Sequence, residues 1–351
     1  MIASRSCIAL CAVISWSAAA AAQEVAPSTT PLVSAAVVGD AHALLYQRGQ
    51  EGRGGPGSTE EWTRSFRVGP NGALDLSNIA GDIVVTGGPG DEITVHATKR
   101  VRGRAAGDLL SRVTIEAAEA AGRVEIRTIY PRGENVHAEV EYQVQVPVGA
   151  SVTVRSVASR VQVSKVKGEV RAESVSGDVL VSGAGRVERV KSVSGDVTVS
   201  DAGSGDVLSA STVSGDLHLK ALKARAIEAQ TVSGDVLVQN ATSDRMQVKS
   251  ISGGLTFEGP LTSGGRYEFN SHSGDVHVLV INGTGFQVAA NTFSGNLRSE
   301  IPFAGGSEPA VHEAGGFPGK RELRGTVGDG SALVVMKTFS GSATVTGKKN
   351  K

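Results

Sequence analysis

Apolar and polar residues alternate along most of the chain after residue 150. The segments Val170–Ser174, Ile227–Thr231 and Met246–Ser250 read Val-Arg-Ala-Glu-Ser, Ile-Glu-Ala-Gln-Thr and Met-Gln-Val-Lys-Ser. A period of two places alternate side chains on opposite faces of a strand, so each segment predicts a strand with one apolar and one polar face. The 3.6-residue period typical of an amphipathic helix is not seen. The pattern therefore predicts an all-β protein.

The alternating segments are copies of one repeat. Val175–Val181 reads Val-Ser-Gly-Asp-Val-Leu-Val, and the residue before its glycine, here called the marker, recurs at steps of 18 to 21 residues. The last step, of 46 residues, is interpreted as two coils with an insertion at residues 301–321. A period of about 20 residues is typical of solenoids and predicts a single-chain β-solenoid, a β-helix-like stack of coils. The markers are Ser176, Ser194, Ser214, Ser233, Ser252, Ser273, Ser294 and Ser340, and Ala158, which stands 18 residues before Ser176 and is followed by Ser159, is counted with them.

Positions counted from the marker separate an inside from an outside. We expect positions −6, −4, −2, +3 and +5 to point inward and positions −5 and −3 to point outward. Position −2 carries a hydroxyl in every coil, which predicts a buried ladder of Ser and Thr that bond one another and nearby carbonyls. The glycine after the marker supplies the bend. The hydroxyl residues are Ser156, Ser174, Ser192, Thr212, Thr231, Ser250, Ser271, Thr292 and Thr338.

The regions before the repeats differ in composition. Residues 1–22 contain one cation, an apolar stretch and a run of alanines, which predicts a signal peptide. Residues 23–58 are rich in Ala, Pro, Ser, Thr and Gly and are interpreted as a flexible leader. Residues 59–150 predict an irregular β-rich N-terminal cap, followed by the solenoid repeats at 151–347. We therefore expect export to the periplasm, cell surface or medium, with no transmembrane segment after signal cleavage.

Composition and charge limit the function. The chain has 351 residues with 45 Gly, and 35 basic side chains balance 35 acidic ones, so no basic field for nucleic acid is present. Both cysteines, Cys7 and Cys11, lie in the predicted signal peptide, which removes disulfides and thiol chemistry from the mature chain. No catalytic motif stands out, and no cofactor is predicted. The expected protein is not an enzyme.

The sequence from Gly72 to about Thr346 resembles the bacterial "putative adhesin" family of unknown function, also described as the toast-rack β-repeat domain. Three features carry the resemblance: the Val-Ser-Gly-Asp-Val-x-Val cores, the opening Leu74–Val85, which reads Leu-Asp-Leu-Ser-Asn-Ile-Ala-Gly-Asp-Ile-Val-Val, and Val140–Gly149 before the first coil. The resemblance implies an exported or membrane-associated envelope protein with a β-solenoid-like fold and no established catalytic residues. Many members are membrane-tethered, whereas this chain shows only a signal peptide.

A row of carboxylates follows the Ser-Gly pairs. One interpretation is turn capping of backbone N–H groups, which Asp, Asn, Ser and Gly all suit. The alternative is a cation-binding edge, since calcium prefers carboxylate and carbonyl oxygens. Arg160, Gly254, Asn296 and Ser342 interrupt the row, so no metal site is assigned. The candidate residues are Asp178, Asp196, Asp216, Asp235 and Asp275.

Three functions are compatible with these features. The first is a surface-binding, adhesion or scaffold module of the cell envelope, with a cell-surface glycan or an envelope protein as partner. The second is a periplasmic envelope-stress sensor or regulator. The third is a polysaccharide-active β-helix enzyme, which the evenly spaced acids do not favour because catalytic acids need different environments. Phe293 and Phe339, at position −1, are expected to pack at the corner as Val175 and Val232 do.

Overall fold

The computed structural model describes residues 58–101, 110–131, 138–281, 285–304, 311–313 and 321–348. Twenty-five strands, linked by backbone pairing, form nearly all the regular structure in these ranges, and residues 110–112 are helical. The predicted all-β class is confirmed. None of the helical residues described belongs to a segment long and apolar enough to cross a membrane. The predicted signal peptide, and the leader apart from Ser58, lie outside the described residues.

Each repeat contributes a longer strand that ends at the marker or three residues before it, and a shorter strand after the turn that follows the marker. Strands β13 (Val197–Ser211) and β14 (Leu217–Gln230) each join a short strand to the next long one. The other long strands are β8 (Ser151–Ala158), β10 (Glu169–Ser176), β12 (Arg186–Lys191), β16 (Arg245–Ser252), β18 (Arg266–Ser273), β20 (Phe286–Ser294) and β24 (Ala332–Ser340). The other short strands are β9 (Val161–Ser164), β11 (Val179–Ser182), β15 (Val236–Gln239), β17 (Leu255–Gly259), β19 (Val276–Ile281), β21 (Leu297–Ser299) and β25 (Ala343–Lys348).

Equivalent residues of neighbouring repeats pair in parallel. Val179 of a short strand pairs with Val161 on one side and with Val197 on the other. Ala172 of a long strand likewise lies between equivalent valines of β8 and β12. The long strands therefore form one parallel ladder and the short strands another, and one long strand with its short strand makes a rung.

The N-terminal region begins with a rung of the same kind. Strands β2 (Ala73–Ala80) and β3 (Ile83–Gly88) pair in parallel with β8 and β9, so Ala80, which precedes Gly81, lies beside Ala158 and is the marker of this rung. The chain then forms antiparallel pairs outside this rung, which add further strands to both ladders. These strands are β1 (Ser58–Arg67), β4 (Glu92–Val101), β5 (Thr114–Ala120), β6 (Arg123–Ile129) and β7 (Ala138–Pro147).

The C-terminal repeat lies elsewhere than its spacing predicts. β24 pairs in parallel with β18 and with β20, so Ser340 lies between Ser273 and Ser294. The prediction of two successive coils after Ser294 was therefore wrong. Instead, the chain forms β22 (Val311–Glu313) and β23 (Arg321–Val327), pairs β23 antiparallel to β20, and returns inside the stack as β24. β23 occupies the hydrogen-bonding edge of β20 and thus covers the last long strand.

Ten rungs result, and their spatial order differs from their order in the chain. By marker it is Ala80, Ala158, Ser176, Ser194, Ser214, Ser233, Ser252, Ser273, Ser340 and Ser294.

The predicted inside and outside are confirmed along the repeats. In the rung of Ser233, the side chains of Ile227, Ala229, Val236 and Val238 are at most 1% exposed, whereas Gln230 is exposed. One continuous aliphatic core therefore runs between the two ladders. Toward the C-terminal rungs it includes aromatic rings, with Phe257 packed against Tyr267 and Phe269 at centroid distances of 5.8 and 5.6 Å.

The glycine after the marker Ser233 is required for two reasons. Gly234 has a φ of 145°, a conformation that L side chains rarely adopt. A Cβ on this residue would also lie 2.0 Å from the carbonyl oxygen of Gly215 in the preceding rung. The turn therefore brings backbone against backbone, which explains why Ser-Gly recurs in the sequence.

Candidate binding surface

The carboxylates after the Ser-Gly pairs cap the backbone of the next rung. The Asp178 Oδ1 atom accepts a hydrogen bond from the N–H of Asp196 at 3.1 Å, and Asp196 accepts one from Asp216 at 2.8 Å. The same bond recurs at 2.8 Å from Asp235 to Asp216, at 2.7 Å from Gly254 to Asp235 and at 2.7 Å from Ser342 to Asp275. Each carboxylate thus ties one turn to the next.

The structure keeps the candidate aspartates in a single file and gathers none of them into a cluster with other ligands. Asp178, Asp196, Asp216 and Asp235 lie on successive rungs, and the rung of Gly254 separates them from Asp275. Among the described residues, no group of three or more His, Cys, Asp or Glu side chains could hold a metal ion.

The hydroxyls at position −2 are buried, and seven of the nine bond to the preceding rung, whereas those of Ser156 and Ser250 have no hydrogen-bond partner among the described residues. Ser192 donates to the Gly177 carbonyl at 3.0 Å, and Thr212 donates to the Gly195 carbonyl at 3.0 Å. Equivalent bonds, at 2.9 to 3.3 Å, are made by Ser174, Thr231, Ser271, Thr292 and Thr338. These seven hydroxyls bond to carbonyls, as predicted, and none of the bonds described joins two of the hydroxyls to each other. The bonds hold the turns in register.

Position −1 carries an exposed apolar column, here called the apolar ridge. The chain turns at the marker, so the two residues before the glycine both point outward and neither can enter the core. Apart from the half-buried Val193 and the exposed His272, the ridge side chains are 38 to 51% exposed. In spatial order the ridge is Ile79, Val157, Val175, Val193, Val213, Val232, Ile251, His272, Phe339 and Phe293.

The ridge ends in three stacked rings. His272 and Phe339 stack at a centroid distance of 5.0 Å with 11° between their planes, and Phe339 and Phe293 stack at 5.0 Å with 1°. Phe293 and Phe339 lie at the same corner as Val175 and Val232, as expected, but all four are exposed. Because of the inserted C-terminal rung, Phe339 lies between the other two rings.

A groove of about 580 Å³ follows the ridge on its long-strand side. Val213, Val232 and Ile251 form one wall, and the residues at position −2, whose hydroxyls point inward, form the floor. The opposite wall is the −3 column, which here comprises Lys191, Ser211, Gln230, Lys249 and Asn270. The groove thus sets an aliphatic wall opposite amide, hydroxyl and ammonium groups, a combination that suits an amphipathic partner.

A second cavity, of about 440 Å³, lies at the aromatic end of the same side of the ridge. Phe293, Lys337 and Asn291 line it together with Glu322 and Arg324 of β23. The returning C-terminal segment therefore adds charged groups beside the stacked rings.

Sequence reasoning did not find the ridge as a whole. Position −1 lies two and four residues from positions −3 and −5, so alternation places it on the same outward face, where most residues are polar. Apolar residues at −1 in nine of ten rungs depart from this pattern and indicate the ridge. The sequence prediction covers only four ridge residues and expects them to pack at the corner: Val175, Val232, Phe293 and Phe339.

The comparisons with known proteins concern the fold. Residues 202–306 match the family described as Toastrack DUF4097, so the resemblance carried by the Val-Ser-Gly-Asp repeats is confirmed for this part of the chain. No significant match to a curated protein is found.

Several solved structures align with most of the chain at low identity. A "putative adhesin" of Bacteroides fragilis is 11% identical, with 82% of this chain and 97% of its own covered and a TM-score of 0.43. A "putative adhesin" of Parabacteroides merdae is 10% identical, with 82% and 96% covered and a TM-score of 0.40. A "putative lipid binding protein" of Parabacteroides distasonis is 11% identical, with 83% and 97% covered and a TM-score of 0.39. Likeness at this level gives no basis for transferring an activity.

Proposed function

We propose that the chain is an exported, non-catalytic β-solenoid protein of the cell envelope that binds its partner through the apolar ridge. The observation that carries the proposal is the column of outward side chains at position −1, which is apolar in nine of the ten rungs and mostly exposed. Water favours polar residues at an outward position, and long apolar patches on soluble proteins mark interaction sites. The ridge is therefore a surface whose stability in water improves when a partner covers it.

The groove beside the ridge limits the chemistry of that partner. An aliphatic wall at Val213, Val232 and Ile251 faces Gln230, Asn270 and lysine side chains. Such a surface fits a cell-surface glycan or an envelope protein, both of which present apolar patches between hydrogen-bonding groups. The partner gains apolar burial and hydrogen bonds along the same strip.

The carboxylate row supports binding rather than catalysis. Polysaccharide cleavage needs two carboxyl groups in different environments, so that one donates a proton while the other is ionised. Asp178, Asp196, Asp216 and Asp235 instead share one role, each accepting a backbone N–H from the next rung. This repetition supplies no acid–base pair.

Cell fractionation tests the location. The expected result is a chain shortened near residue 22 and recovered from the periplasm, the envelope or the medium. Protease treatment of intact cells then separates a surface protein, which is digested, from a periplasmic one, which is protected. An intact chain recovered with the cytoplasm overturns the proposed export.

Co-sedimentation with isolated cell envelopes tests the ridge. The wild-type chain should bind saturably, and a Val213→Ser/Val232→Ser/Ile251→Ser variant should bind at least ten times more weakly. The matched control replaces three half-buried outward leucines on the short ladder, Leu180, Leu237 and Leu279, by Ser. Equal loss in both variants, or no loss in the ridge variant, contradicts binding through the ridge.

A further inference from the structure

The apolar ridge repeats at the spacing of the stack itself. Parallel strands lie about 4.8 Å apart, so ten rungs present their −1 side chains along about 43 Å. A partner that contacts every exposed residue must offer contacts at that same spacing over that same length. A second copy of this chain meets the requirement, because its own ridge has the same period.

The charges beside the ridge differ between its two sides. On the −3 side stand Arg155, Lys191, Lys249 and Lys337, together with one acid, Glu173. On the other side, at +2, stand the aspartates of the carboxylate row, together with one base, Arg160. The ridge is therefore flanked by a mainly basic column on one side and a mainly acidic column on the other.

From this asymmetry we propose that a second copy of the chain covers the ridge, related by a two-fold axis parallel to the stack. This rotation keeps both stacks pointing the same way and exchanges left and right. Lys191 of one copy then faces Asp196 of the second copy, and the −1 residues of equal number meet at the axis. A two-fold axis perpendicular to the stack would instead set the basic columns against each other, which costs energy.

Two rungs carry the reversed charges, and they complement each other. At equal height Arg155 would meet Arg160 of the second copy, and Glu173 would meet Asp178 of the second copy. Within one copy Arg155 already pairs with Asp75 at 3.0 Å and Arg160 with Asp178 at 3.5 Å, which reduces the repulsion between them. The two rungs are adjacent, about 4.8 Å apart, so Arg155 also reaches Asp178 of the second copy and Glu173 reaches Arg160 of the second copy. Opposite charges on the two adjacent rungs therefore attract each other between the copies, and these residues do not oppose the dimer.

The area of the surface between positions −3 and +2 limits the strength of the dimer contact. From position −3 to position +2 the chain advances five residues, or about 16 Å, so each copy offers roughly 430 to 700 Å² depending on how far the corner curves away. The total, about 900 to 1,400 Å², lies at the lower end of specific interfaces. We therefore expect a weak dimer that forms with rising concentration in the micromolar range.

Disulfide trapping tests the geometry in the full chain with Cys7→Ser and Cys11→Ser. Single substitutions Val157→Cys, Val213→Cys and Ile251→Cys cover both ends and the middle of the aliphatic ridge. A two-fold axis parallel to the stack brings each cysteine to its own equivalent within disulfide reach, so all three variants should form covalent dimers under mild oxidation. The control Leu237→Cys, in the same rung as Val232 but on the short ladder, should not.

The results decide how the two copies are oriented and whether a second copy covers the ridge. Cross-linking of only one ridge variant overturns the parallel two-fold, because antiparallel copies bring together equal residues at the centre alone. Sedimentation velocity should show the cysteine-free chain shifting from monomer toward dimer up to about 200 µM, a range suited to a weak interface. A monomer throughout, with no cross-linking, overturns the dimer.

The inference rests on the proposed function, that the ridge is a binding surface, and the second copy and the envelope partner compete for the same residues. The two proposals can nevertheless fail separately. If the ridge variant loses envelope binding while the chain stays monomeric, the proposed function holds and the second copy is not the occupant. If the dimer forms while envelope binding is unaffected by the ridge variant, the dimer holds and envelope binding through the ridge fails.

Discussion

Ser340 pairs in parallel with Ser273, although 66 residues of chain lie between them. The last rung in sequence is therefore the second last in space, and the rung of Ser294 is the outer one. Its long strand, β20, is held between two elements that both follow it in the chain, β24 and β23. The C-terminal segment thus stabilises a strand that precedes it in the chain.

Removing residues 321–351 should therefore open the preceding rung. β20 loses both of its neighbours, and β21 loses its pairing with β25, so neither retains a strand partner. Limited trypsin digestion should cleave after Arg298 much faster than in the intact chain. The control removes only residues 349–351, which lie beyond β25, and should leave cleavage at the intact rate. Equal protection of Arg298 in both truncations contradicts the inserted rung.

Gly234→Ala should be strongly destabilising. The new Cβ lies 2.0 Å from the Gly215 carbonyl oxygen, and the φ of 145° suits only glycine, so we expect a loss of more than about 3 kcal/mol in the free energy of unfolding. The matched control is Gly205→Ala, whose Cβ meets nothing within 4 Å and should change stability by less than about 1 kcal/mol. Urea denaturation followed by circular dichroism measures both, and similar losses would refute the close approach at the turn.

Thr231→Asp tests the inward direction of position −2. The Thr231 hydroxyl is buried and donates to the Gly215 carbonyl, so a carboxylate there is desolvated beside an acceptor and should cost more than about 3 kcal/mol. Lys249→Asp, at an exposed outward position, should change stability by less than about 0.5 kcal/mol. Thermal melts that order the two variants the other way would reverse the assignment of inside and outside.

Two tyrosines make the N-terminal region sensitive to alkali. Burial raises the pKa of Tyr130 to about 12, against about 10 for a free tyrosine, and it raises the pKa of Tyr142 as well. The folded state holds these protons more tightly than the unfolded state does. The contribution of Tyr130 is therefore complete below pH 10 and is lost as the pH rises from 10 through 12, and the contribution of Tyr142 likewise falls only above pH 10.

Alkaline unfolding measures this contribution. Tyr130 donates to the Ala80 carbonyl at 3.1 Å, which links the region before the repeats to the first rung. The Tyr130→Phe variant should lose some stability at pH 8 and should show a smaller further loss between pH 10 and 12 than wild type. Melting temperatures that fall equally in both proteins over this range would contradict the assignment.

Much of the fold is readable in the sequence because its rules are local. Alternation identifies inward residues such as Val236, and the Ser-Gly pair identifies each turn, since both depend on only a few neighbouring residues. The place of the C-terminal rung is different. The inward pattern of β24 fits any rung equally well, and the choice between inserting and extending depends on β23 covering β20, a contact between distant segments.

The candidate site is less readable for a related reason. The aspartates are conspicuous in the sequence, yet their carboxylates serve the backbone. The ridge residues, such as Val213, look like core valines, and only the corner geometry turns them outward. Exposure of an apolar residue is a property of the folded stack. Alternation predicts exposure at position −1 only if this position is grouped with the outward positions −3 and −5.

Hydroxyl-radical footprinting of the intact chain, with and without saturating cell envelopes, tests the central claim most directly. Mass spectrometry should show oxidation of His272, Phe293 and Phe339 falling several-fold when envelopes are bound. Ile129, which is exposed but lies outside the ridge, should be oxidised at an unchanged rate. Unchanged oxidation of the three rings under conditions where the chain is bound would contradict the ridge as the binding surface.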